Sequence, residues 1–89
     1  MQLINIGYGN LVSSDRILCI VSPKSAPISR LVKKAKEDGS LVDASEGRKT
    51  KGVIIADNGS VILSALTPVT IEGRMHNEKT DEETENGSK

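Results

Sequence analysis

The hydrophobic pattern of the chain is mostly that of short β-strands separated by turns. Gln2–Ile6 alternates roughly as a strand does, and the turn sequence Gly7-Tyr8-Gly9-Asn10 follows it directly. A second apolar segment begins at Leu11, is interrupted by four polar residues, and resumes at Ile17–Val21. Further strands are predicted at about residues 41–45 and 51–56, and at Val61–Ser64 after the turn Asp57-Asn58-Gly59.

One helix is marked more clearly than any strand. Ser25 is a candidate N-cap, and Pro27 lies in the first turn, where its missing N–H costs no hydrogen bond. Apolar residues then recur at helical spacing, and Gly39 is suited to end the helix. A short final helix is predicted from Pro68 to about Met75. The apolar stripe of the main helix consists of Ile28, Leu31, Val32 and Ala35.

These elements predict an α+β domain with a small, mostly antiparallel sheet, one main amphipathic helix and a short C-terminal helix. Several predicted strands are apolar on consecutive residues, so both of their faces favour burial, whereas one helix covers only one face. The chain has no Phe or Trp, and its core is therefore small. We expect the uncovered face to pack on other copies in a symmetric homo-oligomer; a monomer with a solvated apolar face is the alternative.

The charges of the chain are divided unequally between two regions. Residues 1–75 carry ten Lys or Arg against seven Asp or Glu, whereas residues 76–89 carry two against five. The second region contains no apolar residue, and such a composition does not offset the entropy cost of ordering it. We predict a domain over residues 1–75 and a disordered acidic tail over 76–89, which either competes with phosphate for the basic surface or only increases solubility.

The sequence offers no catalytic, metal or cofactor site. Cys19 lies in an apolar run, where burial as a small hydrophobic residue is expected, and the only histidine, His76, opens the predicted tail. One Cys, one His and scattered carboxylates provide no metal-ligand spacing. Gly7-Tyr8-Gly9 lacks the third glycine and the following helix of a dinucleotide-binding loop. We therefore predict a protein that is not an enzyme and has no cofactor.

Nothing in the sequence predicts membrane insertion or export. The longest unbroken apolar stretch, Ile17–Val21, is far shorter than the roughly 20 residues that a membrane-spanning helix needs. The first residues do not form a basic and then apolar signal segment, and one cysteine makes no intrachain disulfide. A cytoplasmic location is expected.

The basic segment Gly47–Lys51 is the strongest functional feature. It holds Arg48, Lys49 and Lys51 between two predicted strands, which suggests the tip of a β-hairpin. Such a tip cannot bury three cations without partners, so they face water or an anion, and phosphate is the anion that we expect. Other basic residues, on the main helix, are spaced three and four apart opposite the apolar stripe, as on a solvated face.

Several short blocks of the chain form a recognisable pattern in order and spacing. They are Asn5–Asn10, Ser22-Pro23-x-Ser25-Ala26-Pro27, Asp43-Ala44, Gly47-Arg48-x-Thr50 and Val61–Ala65. Together these blocks resemble the RemA family of small regulators of extracellular matrix genes in Gram-positive bacteria, over a range from about Leu3 to Arg74. The resemblance implies a LytTR-like subunit and a protein that binds double-stranded DNA, assembles into rings and activates biofilm-matrix genes.

The resemblance also implies roles for individual residues. The DNA-contacting arginines of the family fall on Arg16, Arg48 and Lys49, and a proline needed for function falls on Pro27. Lys51 stands where relatives have a further arginine, and lysine does not make the planar two-pronged bond that arginine makes to guanine or phosphate.

Two other functions remain open from the sequence. The basic segment could bind RNA, but single-strand recognition generally uses aromatic stacking surfaces, and Tyr8 is the only aromatic residue. Alternatively, a structural ring could bind an acidic protein, or its own acidic tail, through a basic rim.

Overall fold

The computed structural model describes residues 2–76 and confirms an α+β fold. A 3-10 turn at Ser14–Arg16 separates the second and third strands. The predicted tail contributes only His76 to this region, as the last residue of the final helix, and residues 77–89 lie outside the described residues. The strands are β1 (Leu3–Asn5), β2 (Leu11–Ser13), β3 (Ile17–Val21), β4 (Leu41–Asp43), β5 (Gly52–Ala56) and β6 (Val61–Ser64), and the helices are α1 (Ala26–Asp38) and α2 (Pro68–His76).

The strands form two sheets rather than the single sheet that the pattern predicted. β1 and β2 form an antiparallel pair, and the larger sheet has the order β3-β5-β6-β4. Within it, β4 runs parallel to β6, while β5 is antiparallel to both β3 and β6. The predicted hairpin between the fourth and fifth strands is therefore wrong, because β6 lies between them. The predicted turn at Asp57-Asn58-Gly59 is confirmed as the β5–β6 connection.

Helix α1 begins and ends where the sequence predicts. The Oγ of Ser25 accepts a hydrogen bond from the N–H of Ile28 at 3.3 Å, Pro27 lies in the first turn, and Gly39 adopts the left-handed conformation at φ 82°. The predicted apolar stripe packs on one face of the central strands, against Val53, Val61 and Leu63.

The other face of the larger sheet is covered within the chain itself. Ile54, which is fully buried, packs on this face with Ile4, Ile6 and Ile71 from β1, the turn after it, and α2. The expectation that this face lies uncovered in one chain is therefore wrong, whereas assembly into a homo-oligomer stays a prediction. The β1–β2 pair and α2 bury it instead, because the short elements that flank the sheet carry apolar residues of their own.

Strand β3 is less buried than its apolar sequence predicted. It lies at an edge of the sheet, and its pairing with β5 is irregular between Ile17 and Cys19. Two consecutive side chains, Leu18 and Cys19, are exposed at this irregularity, Leu18 by 71%. The prediction of a buried Cys19 is therefore wrong.

Candidate nucleic-acid interface

The basic segment belongs to a connection that crosses over the end of β6. The chain leaves β4 at the sheet edge and enters β5 in the sheet interior, so it passes over the strand between them. Both ends of the connection are bonded to β6. The N–H of Ala44 donates to the carbonyl of Leu63 at 2.9 Å, and the N–H of Lys51 donates to the carbonyl of Ser64 at 2.8 Å. The basic segment is therefore an anchored loop, although it is not a hairpin tip.

A tight turn sets the direction of the basic segment. The N–H of Arg48 donates to the carbonyl of Ser45 at 3.0 Å, and the two central residues, Glu46 and Gly47, have φ values of 56° and 77°. Positive φ at both central positions is the property of a type I′ turn, which favours Asn or Gly over Glu. The fold thus holds Glu46 in an unfavourable conformation directly before the cations.

Asp43 and Ser45 stabilise the start of this turn. Oδ1 of Asp43 accepts hydrogen bonds from the Oγ of Ser45 at 2.6 Å and from its N–H at 3.0 Å. These bonds, the side-chain one first, hold the pKa of Asp43 below its ordinary value of 3.8, and the charge of Lys36 lowers the pKa further against a small opposing effect of burial. The carboxylate is therefore ionised at neutral pH and available to order Ser45.

The three cations of the basic segment are exposed, as predicted. Among the residues that the structure describes, none of Arg48, Lys49 and Lys51 forms an ion pair. Arg48 instead has an aromatic contact, since its guanidinium carbon lies 5.5 Å from the centre of the Tyr8 ring. Charges held outward without carboxylate partners leave a positive surface open to an anion.

The turn at Gly7–Asn10 brings Tyr8 to this surface. The N–H of Asn10 donates to the carbonyl of Gly7 at 3.0 Å, and Tyr8 and Gly9 have φ values of 55° and 79°. The side-chain nitrogen of Asn10 also bonds the carbonyl of Ala44, which ties this turn to the connection that bears the cations. The sequence predicted the tight turn but gave no signal for the Tyr8–Arg48 contact, which depends on the packing of the two sheets.

The match to a protein-family model extends over almost all of the described residues. The model is that of RemA-like proteins, described as extracellular matrix regulatory protein A-like, and it matches residues 3–75. The chain belongs to the RemA-like family.

Curated relatives of this RemA-like chain share much of its sequence. It is 58% identical to a protein of Synechococcus elongatus, over 89% of this chain and 91% of that protein. It is 53% identical to a protein of Bacillus cytotoxicus over the same shares. A protein of Natranaerobius thermophilus is 47% identical over 96% of both chains. The names of all three describe candidate regulatory proteins, and regulation rather than catalysis is the role that these names indicate.

The residues that the RemA-like resemblance marks do not all lie together. Arg48, Lys49 and Lys51 are near the start of β5, whereas Arg16 is at its other end, where its carbonyl accepts from the N–H of Asp57. The five residues of β5, at about 3.3 Å each, place roughly 16 Å between the two ends. Within one subunit, Arg16 is thus a basic residue separate from the basic segment.

Arg16 and Pro27 are both exposed on this RemA-like fold. Nε of Arg16 lies 3.5 Å from Oδ1 of Asp57, and the two side chains are 63% and 44% exposed, so the ion pair restrains the arginine only weakly. Pro27 lies at the beginning of α1, which follows the end of β3 that pairs with the start of β5.

No helix between Gln2 and His76 is long and apolar enough to cross a membrane.

Proposed function

We propose that this RemA-like protein is a DNA-binding transcriptional regulator that activates extracellular matrix genes from within the cytoplasm. The observation that carries the proposal is the basic segment: its three exposed cations lack carboxylate partners among the described residues and are presented by an anchored loop. The names of the family and of the relatives support the regulatory part of the proposal. Duplex DNA is the partner, because its phosphates supply a regular array of the matching charge.

The cations have different roles in this proposal. Arg48 is the residue suited to a base edge, because a planar guanidinium makes two parallel hydrogen bonds to guanine. Lys49 and Lys51 hold phosphates and determine position rather than sequence. Arg16, at the far end of β5, contacts a different stretch of the backbone or a duplex that passes over a neighbouring subunit.

Repetition of the subunit supplies the affinity. Three or four phosphate contacts bind weakly, whereas several linked copies raise the apparent affinity, commonly by ~10² or more. The two edge strands of the larger sheet support assembly into a ring. β3 exposes Leu18 by 71% at one edge, and β4 exposes Val42 by 52% at the opposite edge. If the β3 edge of one subunit meets the β4 edge of the next, the contact is head-to-tail. Such contacts form a closed ring when the rotation from one subunit to the next closes after a whole number of copies.

A gel-shift assay tests the DNA-binding proposal. Arg48→Ala and Lys49→Ala should each lose binding to a labelled duplex of mixed sequence. Lys33→Ala, which removes a cation from the exposed face of α1, is the matched control and should bind as the wild type does. Circular dichroism and sizing verify that each variant remains folded and assembled. Unchanged binding by the first two variants would refute the assignment of the site.

The same assay distinguishes the other two candidates. A single-stranded RNA that binds more tightly than the duplex would favour the RNA-binding function. If neither nucleic acid binds even at low salt, the basic segment instead fits an acidic protein partner or the acidic residues 76–89. Removal of residues 77–89 followed by the same titration tests the last possibility, because unmasking the segment would increase duplex affinity.

A further inference from the structure

A cleft beside the basic segment is lined by a further cation, Lys24, to which the family resemblance assigns no role. Its volume is about 540 Å³, and its walls come from three connections that meet at the same end of the larger sheet. We call it the lysine cleft, because Lys24 of the β3–α1 link lines it together with Lys49 and Lys51. Its lining residues are Ser22, Pro23, Lys24, Lys49, Thr50, Lys51 and Thr67.

The sheet register accounts for the position of Lys24. Val21, the last residue of β3, pairs with Val53 near the start of β5, so the residues after Val21 and those before Gly52 emerge side by side. Local hydrogen bonds shape the link at this point: the N–H of Lys24 donates to the Oγ of Ser22 at 3.2 Å, and Ser25 caps α1 immediately afterwards. The cleft thus lies between this link and the basic segment, which is bonded to β6.

The composition of the lysine cleft favours an anion. The lining contains no carboxylate, and within residues 2–76 none of the three lysines forms an ion pair. Three like charges on residues that line one cleft repel each other, and an anion bound between them reduces this repulsion. The hydroxyl groups of Ser22 and Thr50 add neutral donors to the same walls, whereas the Thr67 hydroxyl already pairs with that of Thr70 at 3.0 Å. A phosphoryl group, with its charge and several acceptor oxygens, satisfies both kinds of donor.

We propose that the lysine cleft is a phosphoryl-binding site, occupied by a backbone phosphate of the bound duplex, and that Lys24 is one of its contact residues. This inference rests on the proposed function and deepens it. It adds the β3–α1 link to the DNA-binding surface, so that the duplex contacts two connections of each subunit rather than one. Lys24 contributes affinity without sequence preference, because a lysine ammonium binds phosphate as a point charge.

The salt dependence of duplex binding tests this role. Lys24→Gln should reduce the slope of log affinity against log salt concentration by about 0.9 for each subunit that contacts the duplex. The matched control is Lys33→Gln, which changes the net charge equally at an exposed position that does not line the cleft. Lys24→Arg should keep the wild-type slope. An unchanged slope for Lys24→Gln, or an equal decrease for the control, would overturn the inference.

A second measurement separates failure of this inference from failure of the proposed function. If the wild-type protein does not bind duplex DNA, the proposed function fails, and the cleft is then tested with inorganic pyrophosphate. Titration monitored by NMR should shift the amide signals of Ser22, Lys24 and Lys51, and the shifts should be lost in Lys24→Gln but retained in Lys33→Gln. The absence of such shifts in the wild type would overturn the phosphoryl-binding site itself.

Discussion

The guanidinium carbon of Arg48 lies 5.5 Å from the centre of the Tyr8 ring, so the Gly7–Asn10 turn and the turn before the basic segment meet through one cation–π contact. Tyr8 is the first central residue of one turn, and Arg48 ends the other. The ring limits the positions open to an otherwise exposed arginine, and under the proposed function this places the guanidinium before DNA binds. Pre-positioning of this kind increases affinity because less side-chain freedom is lost on binding.

The first prediction concerns this ring. Tyr8→Leu keeps an apolar side chain but removes the ring, and it should weaken duplex binding about two- to fivefold, because an exposed cation–π contact is worth about 0.5–1 kcal/mol. Tyr8→Phe keeps the ring and should bind as the wild type does. Fluorescence anisotropy with a labelled duplex measures both. Equal weakening by the two variants would point to the hydroxyl group and contradict a positioning role for the ring.

The second prediction concerns the strained turn before Arg48. Glu46 has φ 56°, a conformation that Asn adopts more readily, and its charge lies close to the cations. Glu46→Asn should increase the free energy of unfolding by up to about 1 kcal/mol and also tighten duplex binding at low salt. Glu46→Gln removes the charge and retains the conformational cost, so it should tighten binding without the gain in stability. Urea unfolding of the pair provides the comparison, and equal stabilities would contradict the claim of strain.

The third prediction concerns a buried hydroxyl that joins the two sheets. The Oγ of Ser64, which is fully buried, donates to the carbonyl of Ile6 at 2.7 Å and accepts from the N–H of Leu66 at 3.0 Å. Ser64→Ala leaves both backbone groups without this partner and should lower the free energy of unfolding by about 1–3 kcal/mol. Ser29→Ala, at an exposed position of α1, is the control and should have little effect. Similar urea midpoints for the two variants would disprove the role of Ser64.

The fourth prediction concerns acid sensitivity. The pKa of Asp43 is lowered in the folded protein by its bonds to Ser45, so the stability it contributes is fully present above its ordinary value of 3.8. That contribution is lost as the pH falls below 3.8 and through the lowered folded pKa, because the unfolded chain takes up the proton first. NMR titration of the Asp43 carboxyl carbon should show a low midpoint in the wild type and a higher one in Ser45→Ala. A wild-type midpoint at or above 3.8 would contradict this assignment.

Local sequence features predicted the parts of the fold that depend on neighbouring residues. The limits of α1 followed from Ser25, Pro27 and Gly39, since caps and stops act within one turn of the helix. The turn at Gly7–Asn10 followed from its glycines, which tolerate positive φ. The exposure of the three cations in the basic segment followed from the energetic cost of burying charge.

The sheet order could not be predicted in the same way. β4 and β5 are consecutive in the chain and were expected to pair, but the eight residues between them are enough to cross β6. β4 instead pairs in parallel with β6, an interaction between distant parts of the chain that no local pattern records. For the same reason, the distance of Arg16 from the basic segment and the approach of Lys24 to it became evident only from the register of β3 and β5.

The mass of the native particle with and without duplex DNA tests the central claim most directly. Native mass spectrometry of the full chain should give one species that contains several copies, and an added duplex should shift it by the mass of the DNA. The shift should disappear in the Arg48→Ala, Lys49→Ala double variant while the number of copies stays the same. A particle with the mass of a single chain, unchanged by duplex DNA at low salt, would contradict the account.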